Sequence, residues 1–208
     1  MIDFFYSGGP VMYPLLLCSL IVMTVIIERS LFWITIGRQR DQALIDEILE
    51  LCRSRNWEAV RQKAGGCKDF VVRIMVSGIL HRDFSMVKAM ESAAADEIQR
   101  MRRFMTILDT MITVAPLLGI FGTVIGIITS FEMLGSDGID RPQAVTAGVA
   151  QALITTATGL GIAILSVFPY NYFNTKVERA ALDIERYATS LEIVYEKMVH
   201  EDNHNKGA

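Results

Sequence analysis

Two stretches of this 208-residue chain carry the residues that could do chemistry. One is Ala115-Pro116-Leu117-Leu118-Gly119-Ile120-Phe121-Gly122-Thr123-Val124-Ile125-Gly126, with Ser130 beyond it and Asp109 before it. The other is Gln151-Ala152-Leu153-Ile154-Thr155-Thr156-Ala157-Thr158-Gly159. On a helical wheel at about 100° per residue, Thr123 is set at 0°. Pro116 then falls at about 20°, Ser130 at about −20°, Gly119 at about −40°, Gly126 at about −60° and Asp109 at about 40°. That face is small and weakly polar, with a carboxylate at one end. In the second stretch Gln151, Thr155 and Thr158 share one side and Thr156 lies on another. Such residues form no covalent catalyst. A run of hydroxyls facing a shared interior can hold water and pass protons. Two readings stand side by side. Small residues let membrane helices approach, Gly122-x-x-x-Gly126 is a GxxxG, and threonine hydroxyls can bond their own i−4 carbonyls. Gln151 suits either an interhelical bond or a place in the path, since a polar group is expensive in lipid.

No HExxH, GxSxG, P-loop or CxxC occurs, so neither an enzyme, a cofactor nor a metal site is expected. His81, His200 and His204 lie outside the apolar runs, and the last two sit in a charged tail. Three cysteines, Cys18, Cys52 and Cys67, are an odd set with no disulfide framework.

The polar stretches lie in unusual surroundings. No charge occurs from Phe4 to Ile27, from Thr110 to Phe131 or from Pro142 to Thr175, runs of 24, 22 and 34 residues. All 43 charges fall in the other 128 residues. A soluble core mixes apolar and charged positions at helical period, whereas this chain holds them in blocks. About 20 apolar residues cross a bilayer core. The pattern excludes a soluble enzyme and a disordered chain. A net charge of −3 without a basic cluster excludes a nucleic-acid binder.

Each run predicts one transmembrane helix. Two helices and a turn need more than about 40 residues, so the third run is one span with polar ends. Tyr170 and Tyr172 suit an aromatic belt. The expected segments are an outer N-terminal tail (1–9), span one (10–36), an inner helical region (37–107), span two (108–132), an outer loop (133–143), span three (144–173) and an inner tail (174–208). Of 20 Lys and Arg residues, 19 lie in 28–109 and 176–208, between and beyond the charge-free runs on one side, and Arg141 is the exception. The positive-inside rule therefore places the N-terminus outside and the C-terminus in the cytoplasm. Glu28-Arg29, at the inner end of span one, reads as an interfacial anchor.

The charged segments read as helical too. Leu44, Ile45, Ile48, Leu49 and Cys52 recur at helical spacing. Gly65-Gly66 breaks the chain, and Asp83 or Ser85 can cap the next helix. No breaker separates that helix from span two, so one helix is expected from about Ser85 to Phe131. Val177, Ala181, Ile184, Ala188, Leu191, Val194 or Tyr195 and Met198 continue span three as an apolar stripe. The fold expected is all-α: three transmembrane helices, with spans two and three extended into a cytoplasmic bundle.

At these residues the chain resembles the ExbB/TolQ branch of the MotA/TolQ/ExbB proton-channel family. The strings APLLGIFGTVIGI and QALITTATGLGIAI, with Tyr170-Asn171 after the second, are similar to its two motifs. Glu28-Arg29 is similar to the acid–base pair that ends its first span. The resemblance implies a bacterial inner-membrane homopentamer whose second and third spans ring a pore. Inside it would sit an ExbD/TolR-like single-span partner, whose membrane aspartate carries the proton. The family's pore-lining threonines carry over to Thr123 and Thr156. Proton flow would drive a periplasmic machine of the TonB/TolA kind. One departure stands out: where ExbB and TolQ commonly have glutamate, this chain has Gln151, which cannot titrate. That departure motivates the competing reading, a non-conducting scaffold for a single-span partner.

Overall fold

The computed structural model describes residues 7–82, 84–137 and 142–206. Every element among them is a helix: α1 (Met12–Gln39), α2 (Gln42–Arg53), α3 (Trp57–Ala64), α4 (Phe70–Leu80), α5 (Met86–Arg102), α6 (Met105–Asp137) and α7 (Pro142–Lys206). Three helical stretches are long and apolar enough to cross a membrane: Met12–Gln39, Met86–Glu132 and Thr146–His200. They contain the second charge-free run whole and residues 12–27 and 146–175 of the other two. The chain divides into two compact units, one of 1–30 with 104–173 and one of 31–103 with 174–208.

In the first unit, α1 buries Met12, Leu15, Cys18, Val22, Val25 and Arg29, steps of three and four that make one helical face. Its other face leaves Tyr13, Leu16, Leu17, Leu20 and Met23 exposed. A surface so apolar suits lipid or other helices, not water. α6 buries Leu108, Ala115, Gly119, Gly122, Gly126 and Ser130. α7 answers with Ala152, Thr155, Gly159, Ile162, Ala163, Ser166 and Phe173.

The second unit is built on α4, Phe70-Val71-Val72-Arg73-Ile74-Met75-Val76-Ser77-Gly78-Ile79-Leu80. This helix is too short to span a bilayer, and it is buried nearly all round. Its residues join Ile45, Ile48 and Cys52 of α2, Val60 of α3, Met86, Met90 and Met101 of α5, and Val177, Ile184, Tyr187 and Leu191 of α7 in one core. Gly78 is small because α5 lies on it: a Cβ there would stand 2.5 Å from Met90 Cγ. The start of α4 is held by Asp69, whose carboxylate is buried and accepts from Val71 N–H at 2.8 Å and Asp41 N–H at 2.9 Å. Arg40 supplies the counter-charge, 3.9 Å from Asp69, and also pairs with Asp183 on α7 at 3.0 Å. One buried carboxylate thus ties the starts of α2 and α4 together. Asp41 itself caps α2 by accepting from Leu44 N–H.

Of the stripe expected on α7, Val177, Ile184, Ala188, Leu191, Val194 and Tyr195 join the core, Ala181 does not, and Ala180 and Tyr187 do. Helix α3 runs up to Gly65-Gly66, and α4 fills the stretch that sequence periodicity left blank between there and residue 83. Ser85 stands at the start of α5 but makes no side-chain cap bond, and Asp83 lies outside the described residues.

The unbroken helix expected from Ser85 to Phe131 is interrupted. Arg103 takes φ −52° and ψ 135°, and Phe104 takes φ +65°. A left-handed phenylalanine costs roughly 1–3 kcal/mol and persists only where contacts hold it. Phe104 has such a contact, since the Arg29 guanidinium lies 5.5 Å from its ring centroid.

Cys52 is wholly buried in the second unit's core, and burial pushes its thiol up to about 12. Desolvation disfavours the thiolate, and the thiolate is the reactive form. Maleimide labelling of the folded protein at pH 8 should therefore modify the half-buried Cys67 and leave Cys52 intact until denaturant is added. Rapid labelling of native Cys52 would contradict this core.

Candidate functional site

The expected polar face of α6 is present but turned. The buried residues centre near −60° on the wheel defined above, about 60° from Thr123. Gly119, Gly126 and Ser130 lie inside the buried face and Gly122 at its far edge. Thr123 and Pro116 are half-buried on the near flank, and Asp109 is exposed. Asp109 thus stands outside the crossing, near the start of α6.

The glycines set the distance between α6 and α7. A Cβ on Gly119 would lie 3.1 Å from both Thr155 O and Thr156 Cα. On Gly126 it would lie 2.9 Å from Gly148 O, and on Gly159 it would run into Ala115 O. Gly122 faces the Thr155 side chain, which is 0% exposed. Ala115 meets Gly159, Gly119 meets Thr155 and Thr156, and Ser130 meets Gly148, so the helices cross antiparallel with backbone against backbone. Only residues without a side chain permit such an approach.

At the flank of this crossing the hydroxyls of Thr123 and Thr156 are hydrogen-bonded to each other. Thr123 Oγ1 also reaches Gly119 O (3.2 Å) and Ala152 O (3.3 Å), and Thr156 donates to Gly119 O at 3.0 Å. Two hydroxyls and two carbonyls from two helices therefore meet at one place. Both threonines are half-buried, so the cluster is open on one side. Thr155 instead donates to Ala152 O at 2.9 Å, Thr158 to Ile154 O at 2.8 Å and Ser130 to Gly126 O at 2.7 Å. These three are satisfied within their own helices.

Gln151 does not join the cluster. On α7, with Thr155 at 0°, Gln151 and Thr158 lie at about −40° and −60°, while Thr156 lies at about 100°. The crossing runs between them. The Gln151 amide is seated on Gly9, whose φ of +70° is open to glycine at no cost. Gly8 beside it approaches Ile154. Gln151 thus packs on the turn that leads into α1. Arg29 is only 2% exposed, bonded to Glu28 Oε1 at 2.6 Å and stacked on Phe104. The anchor expected to snorkel is buried inside the unit.

Ala152 is neither polar nor glycine, and Ser166 lies beyond the stretch placed on the wheel, so both were missed. Their signal was available in size: 148, 152, 155, 159, 163 and 166 are all small and recur in steps of three and four. Nothing in the sequence marked Arg29 as buried, because its partner Phe104 lies 75 residues away.

Three long apolar helices, two of them crossing through glycines beside paired hydroxyls, define a multi-pass membrane protein with polar groups held inside the apolar region. Residues 68–186 match the model of the MotA/TolQ/ExbB proton channel family. The biopolymer transport protein ExbB-like 3 of Synechocystis sp. is 34% identical over 198 residues, 92% of this chain and 93% of that protein. ExbB-like 1 of the same organism is 34% identical over 97% of this chain and 81% of its own length. The Tol-Pal system protein TolQ of Pseudomonas aeruginosa is 32% identical over 55% of this chain and 50% of its own length. The chain belongs to the MotA/TolQ/ExbB proton channel family and is of the ExbB/TolQ-like kind.

The crossing makes a contrast within one helix. Gly159→Ala would force Ala115 away and should lower the melting temperature in detergent, by a destabilisation of about 1–3 kcal/mol. Gly161→Ala, with nothing within 4 Å, should leave it within error of the wild type. Equal effects of the two would contradict the crossing.

Proposed function

We propose that this protein is an inner-membrane subunit of a proton-driven motor or channel. In this reading it assembles as a homopentamer with an ExbD/TolR-like single-span partner that brings a membrane aspartate. It couples ion flow to a periplasm-spanning protein of the TonB/TolA kind, for transport or envelope maintenance. Its N-terminus is periplasmic, and residues 37–107 and 174–208 are cytoplasmic. It is not an enzyme and carries no cofactor.

The observation that carries the reading is the Thr123–Thr156 pair. Its half-buried hydroxyls sit at the edge of the crossing, among carbonyls that accept and hydroxyls that can both donate and accept. Such a cluster can relay a proton to or from a carboxylate supplied by a partner. Among the described residues no carboxylate lies at this pair, and in this reading the titrating group comes from the partner. Among the other residues of the expected path, Thr155 and Ser130 serve to hold the crossing closed. Gln151 fixes the entry into α1, and Asp109 collects charge near the start of α6. Pro116 and the glycines set the helix spacing, and Glu28 with Arg29 holds the turn at Phe104.

Gln151 keeps the second reading, a non-conducting scaffold for a single-span partner, in play. It cannot titrate, and it faces Gly9 and not the threonines.

Proton uptake by liposomes holding the protein and its partner separates the two. Thr123→Val with Thr156→Val removes both hydroxyls at nearly constant volume. Each loss raises the barrier by about one hydrogen bond, so uptake should fall about tenfold per hydroxyl. Unchanged uptake would remove the threonines from the path. No uptake by the wild type, with partner function intact, would establish the scaffold.

A further inference from the structure

We infer that the second unit carries a binding site for the phosphate of an anionic phospholipid, at the end of α1 that follows its charge-free run. The site is a cavity of about 110 Å³ bordered by Phe32 and Thr35 of α1, Lys68 and the start of α4, Arg73, and Arg100 of α5. Nothing in the ion path uses these residues, and the inference stands whether or not the protein conducts.

The charges favour an anion. Three cations and two carboxylates, Asp69 and Glu97, border the cavity. Neither carboxylate is turned loose in it. Asp69 is buried, accepts two backbone N–H groups and is countered by Arg40. Glu97 pairs with Arg73 at 2.6 Å. A guanidinium has five donors, and one carboxylate engages at most two of them. Arg73 therefore retains donor capacity, and Lys68 makes no ion pair with any described residue. A planar fork beside an ammonium group is the usual company of a phosphate.

The setting selects a lipid over a soluble phosphate. On α1 the neighbouring residues Leu31 and Ile34 are 60% and 51% exposed. They offer an acyl chain an apolar track ending at Thr35. Phe32 and Trp33, edge to face at 5.8 Å, are the aromatic pair expected at headgroup depth. A ligand with a phosphate at one end and hydrocarbon at the other meets both surfaces at once. Basic pockets beside membrane helices take anionic headgroups on these terms.

Trp33 supplies the probe. Trp57→Phe leaves it the sole tryptophan and keeps an aromatic ring for Arg82, which lies 5.0 Å from that of Trp57. The full-length protein is placed in phosphatidylcholine vesicles containing either brominated phosphatidylglycerol or brominated phosphatidylcholine, and quenching of Trp33 is read against lipid fraction. Phosphatidylglycerol should quench at a several-fold lower fraction than phosphatidylcholine. Lys68→Ala should reduce that preference by about fivefold, and Lys68→Glu should abolish it. Lys68 is exposed and outside every helix, so neither variant threatens the fold, and an unchanged melting temperature checks this. Free glycerol phosphate should not relieve the quenching. Equal quenching by both lipids, a preference that survives Lys68→Glu, or its loss to free glycerol phosphate would each overturn the site.

Discussion

Helices α6 and α7 meet backbone against backbone. Where α6 crosses α7 there is no room for a Cβ at Gly126, Gly148 or Gly159, and little at Gly119. In lipid no hydrophobic force drives helices together, because the surrounding chains are as apolar as leucine. Association rests on dispersion contacts and on polar groups that find partners. Glycine serves both. It lets the helices touch along their length, and it exposes carbonyls such as Gly119 O to donors on the facing helix. The threonines follow from this: the Thr156 hydroxyl reaches Gly119 O only because no side chain stands between them. The hydroxyl cluster is a product of the glycine contact and would be lost with it.

The second unit solves the opposite problem. It buries charge in a core exposed to water at its edges. Asp69 is tolerated because two N–H groups and Arg40 surround it. Removing Arg40 would leave an uncompensated carboxylate, the costly half of a broken buried pair. Arg40 also lies 5.0 Å from the ring of Phe70, so apolar and ionic contacts act at the same turn. The first unit repeats the device at Arg29, which is shielded by Phe104 and paired with Glu28. Two arginines near the ends of apolar segments thus hold turns and do not reach for water.

Much of this was legible from local pattern. The charge-free runs gave the three spans because hydrophobicity needs no knowledge of partners. The 3.6-residue period placed the α7 stripe from Val177 to Leu191, and Asp41 was followed by the helix its apolar spacing required. What stayed hidden depends on contacts between distant residues. Phe104 has no turn-forming side chain, so its left-handed backbone is not readable from the sequence around it. Helix α4 lacks amphipathic contrast because it is buried nearly all round. The wheel grouped Gln151 with Thr155 correctly by angle, yet their partners differ: Gly9 for one and Gly122 for the other. Angle is a property of one helix. Which neighbour fills it is a property of the fold.

The intrachain crossing is tested most directly by a disulfide across it. Thr123 and Thr156 already touch across the crossing through their hydroxyls, so thiols at these positions stand within disulfide reach without adding a Cβ where none fits. In a chain whose three native cysteines are replaced by alanine, Thr123→Cys with Thr156→Cys should oxidise within the membrane. Mass spectrometry should find the bond inside single chains. Failure to oxidise, or bonds found only between chains, would contradict the crossing and the threonine cluster built upon it.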